Sequence, residues 1–225
     1  MMKMDKLQTR IRRIAAVVII LAMTVMLAGC GLTESPTQVT EKFLKAVQES
    51  DSDTIKDVYA DGNFDLSDNI YDTEKKSDEK SSDTELDKVI EKQLQKKLLD
   101  FDYEVLSEKV NGDKATVKVK IKTYAFGSAF SDFVSDYIEQ AFALAMSGAS
   151  DKKIDALAAT IFSQKLDKLK KKSYSKMVSV KLTKDDGKWK INKLSDTGDF
   201  MNAISGGLIS TISNYSGAFS ESDQE

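Results

Sequence analysis

A chain of 225 residues with 33 basic and 36 acidic side chains, and no histidine, carries a formal charge of −3. It therefore lacks the usual base near neutral pH and the commonest metal ligand, and its single cysteine leaves no partner for an internal disulfide. All three arginines lie within the first 13 residues, so the acidic remainder is a poor match to nucleic acid and no nucleic-acid partner is expected.

The first element is Arg10, Arg12 and Arg13 followed by an apolar run of 13 residues, Ile14–Met26. A mature helix needs about 20 residues to cross the bilayer core, so the run reads as a secretory signal. The rival reading is an uncleaved N-terminal anchor helix. The closing residues Leu27-Ala28-Gly29-Cys30 resemble the lipobox of bacterial lipoproteins at all four positions. That resemblance implies cleavage of 1–29, a lipid on the Cys30 thiol with palmitate among its chains, and a place on the extracytoplasmic face of the cell membrane. Loss of Lys3, Lys6, Arg10, Arg12, Arg13 and Asp5 would leave 28 basic and 35 acidic groups, net −7.

Residues 30–35 form a short tether, and 36–219 read as a single domain. Ser35-Pro36-Thr37-Gln38 has the form of a capping box with proline at the first helical position. The helix it opens runs to about Gln48, with Val39, Phe43, Leu44 and Val47 on one face. Asp51 or Ser52 caps a second short helix bearing Ile55, Val58 and Tyr59. The stretch Asp61–Asp83 is rich in Asp, Ser, Asn and Lys and reads as a loop. From Thr84 a third helix carries Leu86, Val89, Ile90, Leu94 and Leu98 and ends near Asp100.

Two β-hairpins are predicted. In the first, Asn111-Gly112 supplies the turn after the strand Tyr103–Val110. Its second strand alternates Ala115, Val117, Val119 and Ile121 with Thr116, Lys118, Lys120 and Lys122, the pattern of a half-buried antiparallel strand. In the second hairpin Val178, Val180 and Leu182 lead through Asp185-Asp186-Gly187 to Trp189 and Ile191. Between the two lies a helical hairpin, Ser128 to about Ala149 and onward from Ser150, with Phe130, Phe133, Tyr137 and Phe142 on its apolar stripe. The last segment places Phe200, Ile204, Leu208 and Ile212 four apart, a helix weakened by Gly206-Gly207. Ser220–Glu225 reads as a disordered tail. The fold expected is α+β: N-terminal helices packed on a four-stranded antiparallel sheet of two β-hairpins separated by a long helical hairpin.

Three stretches, Pro36–Asp51, Asn111–Ile121 and Asp185–Leu194, resemble the small exported lipoproteins of Gram-positive bacteria grouped in families of unknown function. Those are related in turn to the nuclear-transport-factor-2-like superfamily. The resemblance implies a curved sheet and helices enclosing a cavity, in a protein that is most often a binder.

For chemistry the chain offers little. No nucleophile elbow, P-loop or zinc-protease motif occurs, and neighbours such as Ser175-Lys176 arise by chance in a lysine-rich chain. No catalytic residue, cofactor or metal is assigned. Asp61, Asn63, Asp65, Ser67, Asn69 and Asp72 match the spacing of a calcium loop, but Leu66 replaces its glycine, and a solvated acidic loop is the reading preferred. The expected function is a membrane-anchored, non-catalytic module for a small ligand or peptide, with Phe133, Tyr137 and Trp189 as pocket residues. The alternative is a structural or partner-binding protein with a filled core. The remaining feature is a lysine face: Lys118, Lys120 and Lys122, joined by Lys181, Lys188 and Lys190, which could be drawn to an anionic surface.

Overall fold

The alternation around Val119 becomes the centre of a four-stranded antiparallel sheet in the computed structural model, which describes residues 33–64, 66 and 84–221. Contacts within the chain separate Met1–Thr33 from Glu34–Glu225, and the second unit is the one described here. Cys30, most of the Asp61–Asp72 stretch and the end of the tail lie outside the described residues.

Strands β1 (Asp102–Asn111) and β2 (Lys114–Thr123) form the first hairpin, and β3 (Tyr174–Asp185) and β4 (Lys188–Ile191) form the second. Antiparallel pairing of β2 with β3 joins them in the order β1-β2-β3-β4. The second turn is held by Asp186 and Gly187, both at positive φ, the geometry whose twist suits a two-residue hairpin loop. Val117, Val119, Ile121, Val180 and Ile191 have no solvent exposure, and Trp189 beside them keeps 9%. The predicted inner face is therefore the inner face observed. A bulge between Val105 and Ser107 shifts the β1 register, and from there to Asn111 every side chain of this edge strand is exposed.

Helix α1 (Pro36–Glu49) begins as expected: the Gln38 N–H donates to Ser35 Oγ, and Gln38 Oε1 accepts from the Ser35 N–H. A second acceptor comes from the sheet. Glu108 Oε2 lies 2.8 Å from the Thr37 N–H, placing a carboxylate where the helix dipole favours one. Helix α2 (Ser52–Val58) is capped by Asp51. Helix α3 is α-helical over Glu85–Val89, π-helical over Ile90–Leu94 and α-helical again over Gln95–Leu98. The π turn has no signature in the apolar spacing that predicts the helix.

The helical hairpin is α4 (Phe126–Met146) and α5 (Asp151–Lys168). Its main contacts outside itself are with α3 and with the C-terminal helix rather than across the sheet. It is joined to the sheet by the links from Thr123 to Phe126 and from Lys168 to Tyr174. The sheet's inner face is covered instead by α1, by α2 at β4, and by α6 (Asp199–Ile204).

The C-terminal segment departs from expectation. One continuous helix was predicted from Phe200 through Ile212, whereas the structure has two, α6 and α7 (Leu208–Glu221). Gly206 and Gly207 adopt φ of 57° and 83° between them, left-handed values that end one helix and turn the chain into the next. Four-residue spacing cannot separate a helix carrying two glycines from two helices joined by them.

The strands also set two poles. Ser35, the β1–β2 turn and the β3–β4 turn lie at one end of the sheet, while α4 leaves from the other, roughly 30 Å away along the ten residues of β2.

One buried polar atom among the described residues has no partner. The hydroxyl of Thr123, at 0% exposure on the inner face, makes no hydrogen bond. An unsatisfied buried hydroxyl costs about 1–3 kcal/mol, and the isosteric Thr123→Val removes it. A rise of about 1 kcal/mol in unfolding free energy, read from the urea midpoint at constant slope, is expected; a fall would mean that the hydroxyl is satisfied in solution.

Candidate interaction surfaces

The space above the sheet is occupied by aromatic side chains. Phe43 of α1 has no exposure, and its ring centroid lies 5.5 Å from Tyr59, 5.2 Å from Phe64 and 6.0 Å from Phe200. Offset and edge-on contacts at such distances fill a core rather than line a chamber. Two shallow clefts lie elsewhere. One of about 170 Å³ between α1, α2 and α3 is lined by Val47, Ile55, Phe64, Gln95 and Leu98 among others. The other, of about 220 Å³, lies between α6 and α7 and is lined by Asp199, Asn202, Ser210 and Ser213 among others. Both fall short of the roughly 300–1,000 Å³ of sites that enclose a drug-sized molecule.

The three residues proposed for a pocket are not brought together. Phe133 and Tyr137 stack on α4 with centroids 5.7 Å apart, and Phe133 meets Phe162 of α5 edge-on at 5.2 Å. Trp189 lies on β4 at the opposite pole, with Lys184 Nζ 5.7 Å from its ring centroid. None of the three lines either cleft.

Two exposed features stand out. The first is on the far half of α4, where Ile138, Phe142 and Met146, four residues apart, are 56%, 68% and 75% exposed. Apolar side chains in one row facing water are the ordinary mark of an interaction surface. The helix beneath them carries Asp132, Asp136 and Glu139 and no basic residue. At about 100° per residue Phe142 lies on the opposite side of the helix from Phe133, so the exposed row and the buried rings are separate faces of α4.

The second is the outer face of the sheet. Register places Lys114, Lys118, Lys120 and Lys122 of β2 on it with Lys181 of β3 and Lys188 and Lys190 of β4, and Lys109 of the edge strand adds an eighth. Their counterparts on that face are Asp102, Glu104 and Asp185. Met177 sits among them opposite Lys120, at 69% exposure.

Several titratable groups elsewhere are engaged in structural pairs. Lys172 Nζ lies 2.7 Å from Asp100 and 2.6 Å from Asp102, fastening the start of β1 to the link between α5 and β3. The Lys172 ammonium, together with a 2.7 Å hydrogen bond donated by the Tyr124 hydroxyl, holds the Asp100 carboxyl below the usual carboxylate range. Lys42 does the same for Asp57 at 3.0 Å. Among the described residues no group of three or more Asp, Glu, Cys or His side chains is placed to hold a metal, and no helix is long and apolar enough to cross a membrane. The predicted calcium-loop ligands beyond Asn63 lie outside those residues.

No family model matches the sequence, and no curated protein does. Among solved structures the chain is similar to YcdA of Bacillus subtilis, provisionally described as a lipoprotein, at 17% identity and a TM-score of 0.40. The match covers 76% of this chain and 47% of that one, so the present chain spans about half the length of its neighbour. A likeness at that level assigns no function.

Proposed function

We propose that this chain is a lipid-anchored protein of the extracytoplasmic face of a bacterial membrane, held through Cys30, which binds a protein partner on its surface and does no chemistry. The anchor rests on the lipobox-like Leu27-Ala28-Gly29-Cys30 behind its basic flank and short apolar run. The observation that carries the binding mode is the filled inner face of the sheet, where Phe43 sits among Tyr59, Phe64 and Phe200. Because aromatic rings occupy the space above the sheet among the described residues, recognition is assigned to the outside of the molecule. The row Ile138, Phe142 and Met146 offers apolar area, and the acidic residues of α4 favour a partner whose own apolar patch is rimmed by basic residues. A bilayer is a poor occupant of that row, because α4 has no basic residue to meet anionic headgroups and departs from the pole opposite Ser35.

Two measurements test the reading. Cys30→Ala is expected to abolish lipid labelling and lipobox processing, and normal labelling of that variant would remove the anchor. A photocrosslinker at position 142 in the host is expected to give a discrete protein adduct that Ile138→Glu abolishes and that a probe at position 168 does not form. Equal adducts from both positions would overturn the assigned surface.

A further inference from the structure

We propose that the outer face of the sheet docks on an anionic lipid bilayer and lays the domain flat against it. The inference deepens the anchored reading above and rests on it for the nearness of a membrane. Three observations on the face itself carry it.

The first is uncompensated charge. Lys42, Lys165, Lys172, Lys176 and Lys193 each hold a carboxylate within 4.0 Å, but among the described residues none of the eight outer-face lysines does. Carboxylates are close at hand: Glu104 stands opposite Lys120 in the ladder and Asp185 opposite Lys188, while Asp102 is taken by Lys172. Eight lysines against three carboxylates make this face basic within a chain that is net acidic. The remainder is consequently more acidic than the whole, and an anionic surface repels it. The basic face is thus the part of the domain that an anionic surface attracts.

The second is Met177. Met177 adds an exposed, flexible apolar side chain to the lysine field. Beside a bilayer it reaches past the headgroups while the lysines around it stay at the phosphate level, the division of labour seen in interfacial helices. A soluble polyanion would use the lysines but gain nothing from the methionine, and for that reason lipid is the occupant favoured here.

The third is reach. The chain enters the domain at Ser35 beside β1, an edge strand, because Glu108 of β1 accepts from the Thr37 N–H. Cys30 precedes Pro36 by six residues, which span up to about 20 Å. That suffices to pass the sheet edge and leave the outer face against the surface to which the anchor is fixed.

Lysine footprinting on the full chain reconstituted into vesicles tests this. Limited acetylation with a water-soluble reagent is read residue by residue by mass spectrometry, with Lys152 and Lys153 at the tip of the helical hairpin as internal standards. On phosphatidylglycerol-rich vesicles, labelling of Lys118, Lys120, Lys122 and Lys181 is expected to fall at least about fivefold relative to phosphatidylcholine vesicles, a single lysine near an anionic surface being worth roughly that factor. High salt should restore it. The triple variant Lys118→Glu, Lys120→Glu, Lys122→Glu changes only exposed side chains and should remove the protection of Lys181. Equal labelling on both vesicles overturns the proposal. Protection that survives Met177→Ser and is matched by soluble polyphosphate overturns the lipid assignment in favour of a polyanion. The N-terminal peptide in the same digest reports on Cys30, so an unmodified thiol alongside intact protection would sink the anchor and sustain the face.

Discussion

Val119→Lys is expected to lose about 4 kcal/mol or more of unfolding free energy, while Lys120→Val changes it by no more than about 0.5 kcal/mol. The two residues are neighbours on one strand and differ only in the side of the sheet they face. Val119 has no exposure and is flanked in the ladder by Val105 and Val178, with no carboxylate opposite it. A lysine there must discharge its ammonium, drag water into the core or open the helices that cover the sheet. Each route takes a large share of the roughly 5–15 kcal/mol that holds a domain of this size together. Lys120 is exposed and makes no ion pair among the described residues, so valine removes no contact seen there and suits the strand conformation. Urea unfolding of both variants decides the matter. Equal tolerance would show that the assigned inside and outside of the sheet are wrong, and the lysine face would fall with them.

The sheet was legible in the sequence because its period is two. A slip of one residue would turn Val117, Val119 and Ile121 to water and Lys118, Lys120 and Lys122 inward, so the alternation fixes the face as well as the strand. Ser35-Pro36-Thr37-Gln38 was legible for a similar reason: the cap needs those side chains at that spacing. What covers the sheet was not legible. The rings Phe130, Phe133 and Tyr137 have the same spacing whether they lie on the sheet or on other helices, and the structure sets them against α5 and α7, with Phe142 on the opposite side of α4 in water. Phe130 packs against Tyr215 of α7, and Phe142 is left 68% exposed. The pocket expectation for Phe133, Tyr137 and Trp189 needed the hairpin to fold back over β4, whereas its main contacts outside itself are with α3 and α7. Likewise nothing along the chain announces that Phe43, Tyr59, Phe64 and Phe200, spread over 158 positions, converge on one point. Long-range packing of rings has no period to read.

Gly206→Ala is expected to be among the most damaging single-methyl additions in the molecule, at about 4 kcal/mol or more. Two effects add. The residue sits at φ 57°, where a Cβ meets the following carbonyl at a cost of roughly 1–2 kcal/mol. The larger effect is packing, because the new methyl would lie 1.9 Å from the Tyr124 carbonyl oxygen and 3.0 Å from the Phe126 ring. A backbone carbonyl cannot swing aside as the end of a side chain can. Either the Tyr124–Phe126 link or the turn between α6 and α7 must move, and the hydrogen bond from the Gly127 N–H to the Gly206 carbonyl, 3.1 Å, goes with it. That junction is where α4 leaves the sheet, so its loss is expected to loosen the helical hairpin before the sheet. Gly187→Ala separates the two effects: φ there is +81°, but nothing lies within 4 Å of the added methyl, and only the conformational part, about 1 kcal/mol, should appear. Chemical unfolding of both variants, with amide exchange along α4 and α7, supplies the comparison. Equal losses at the two glycines would show that the close approach at Tyr124 is not kept in solution.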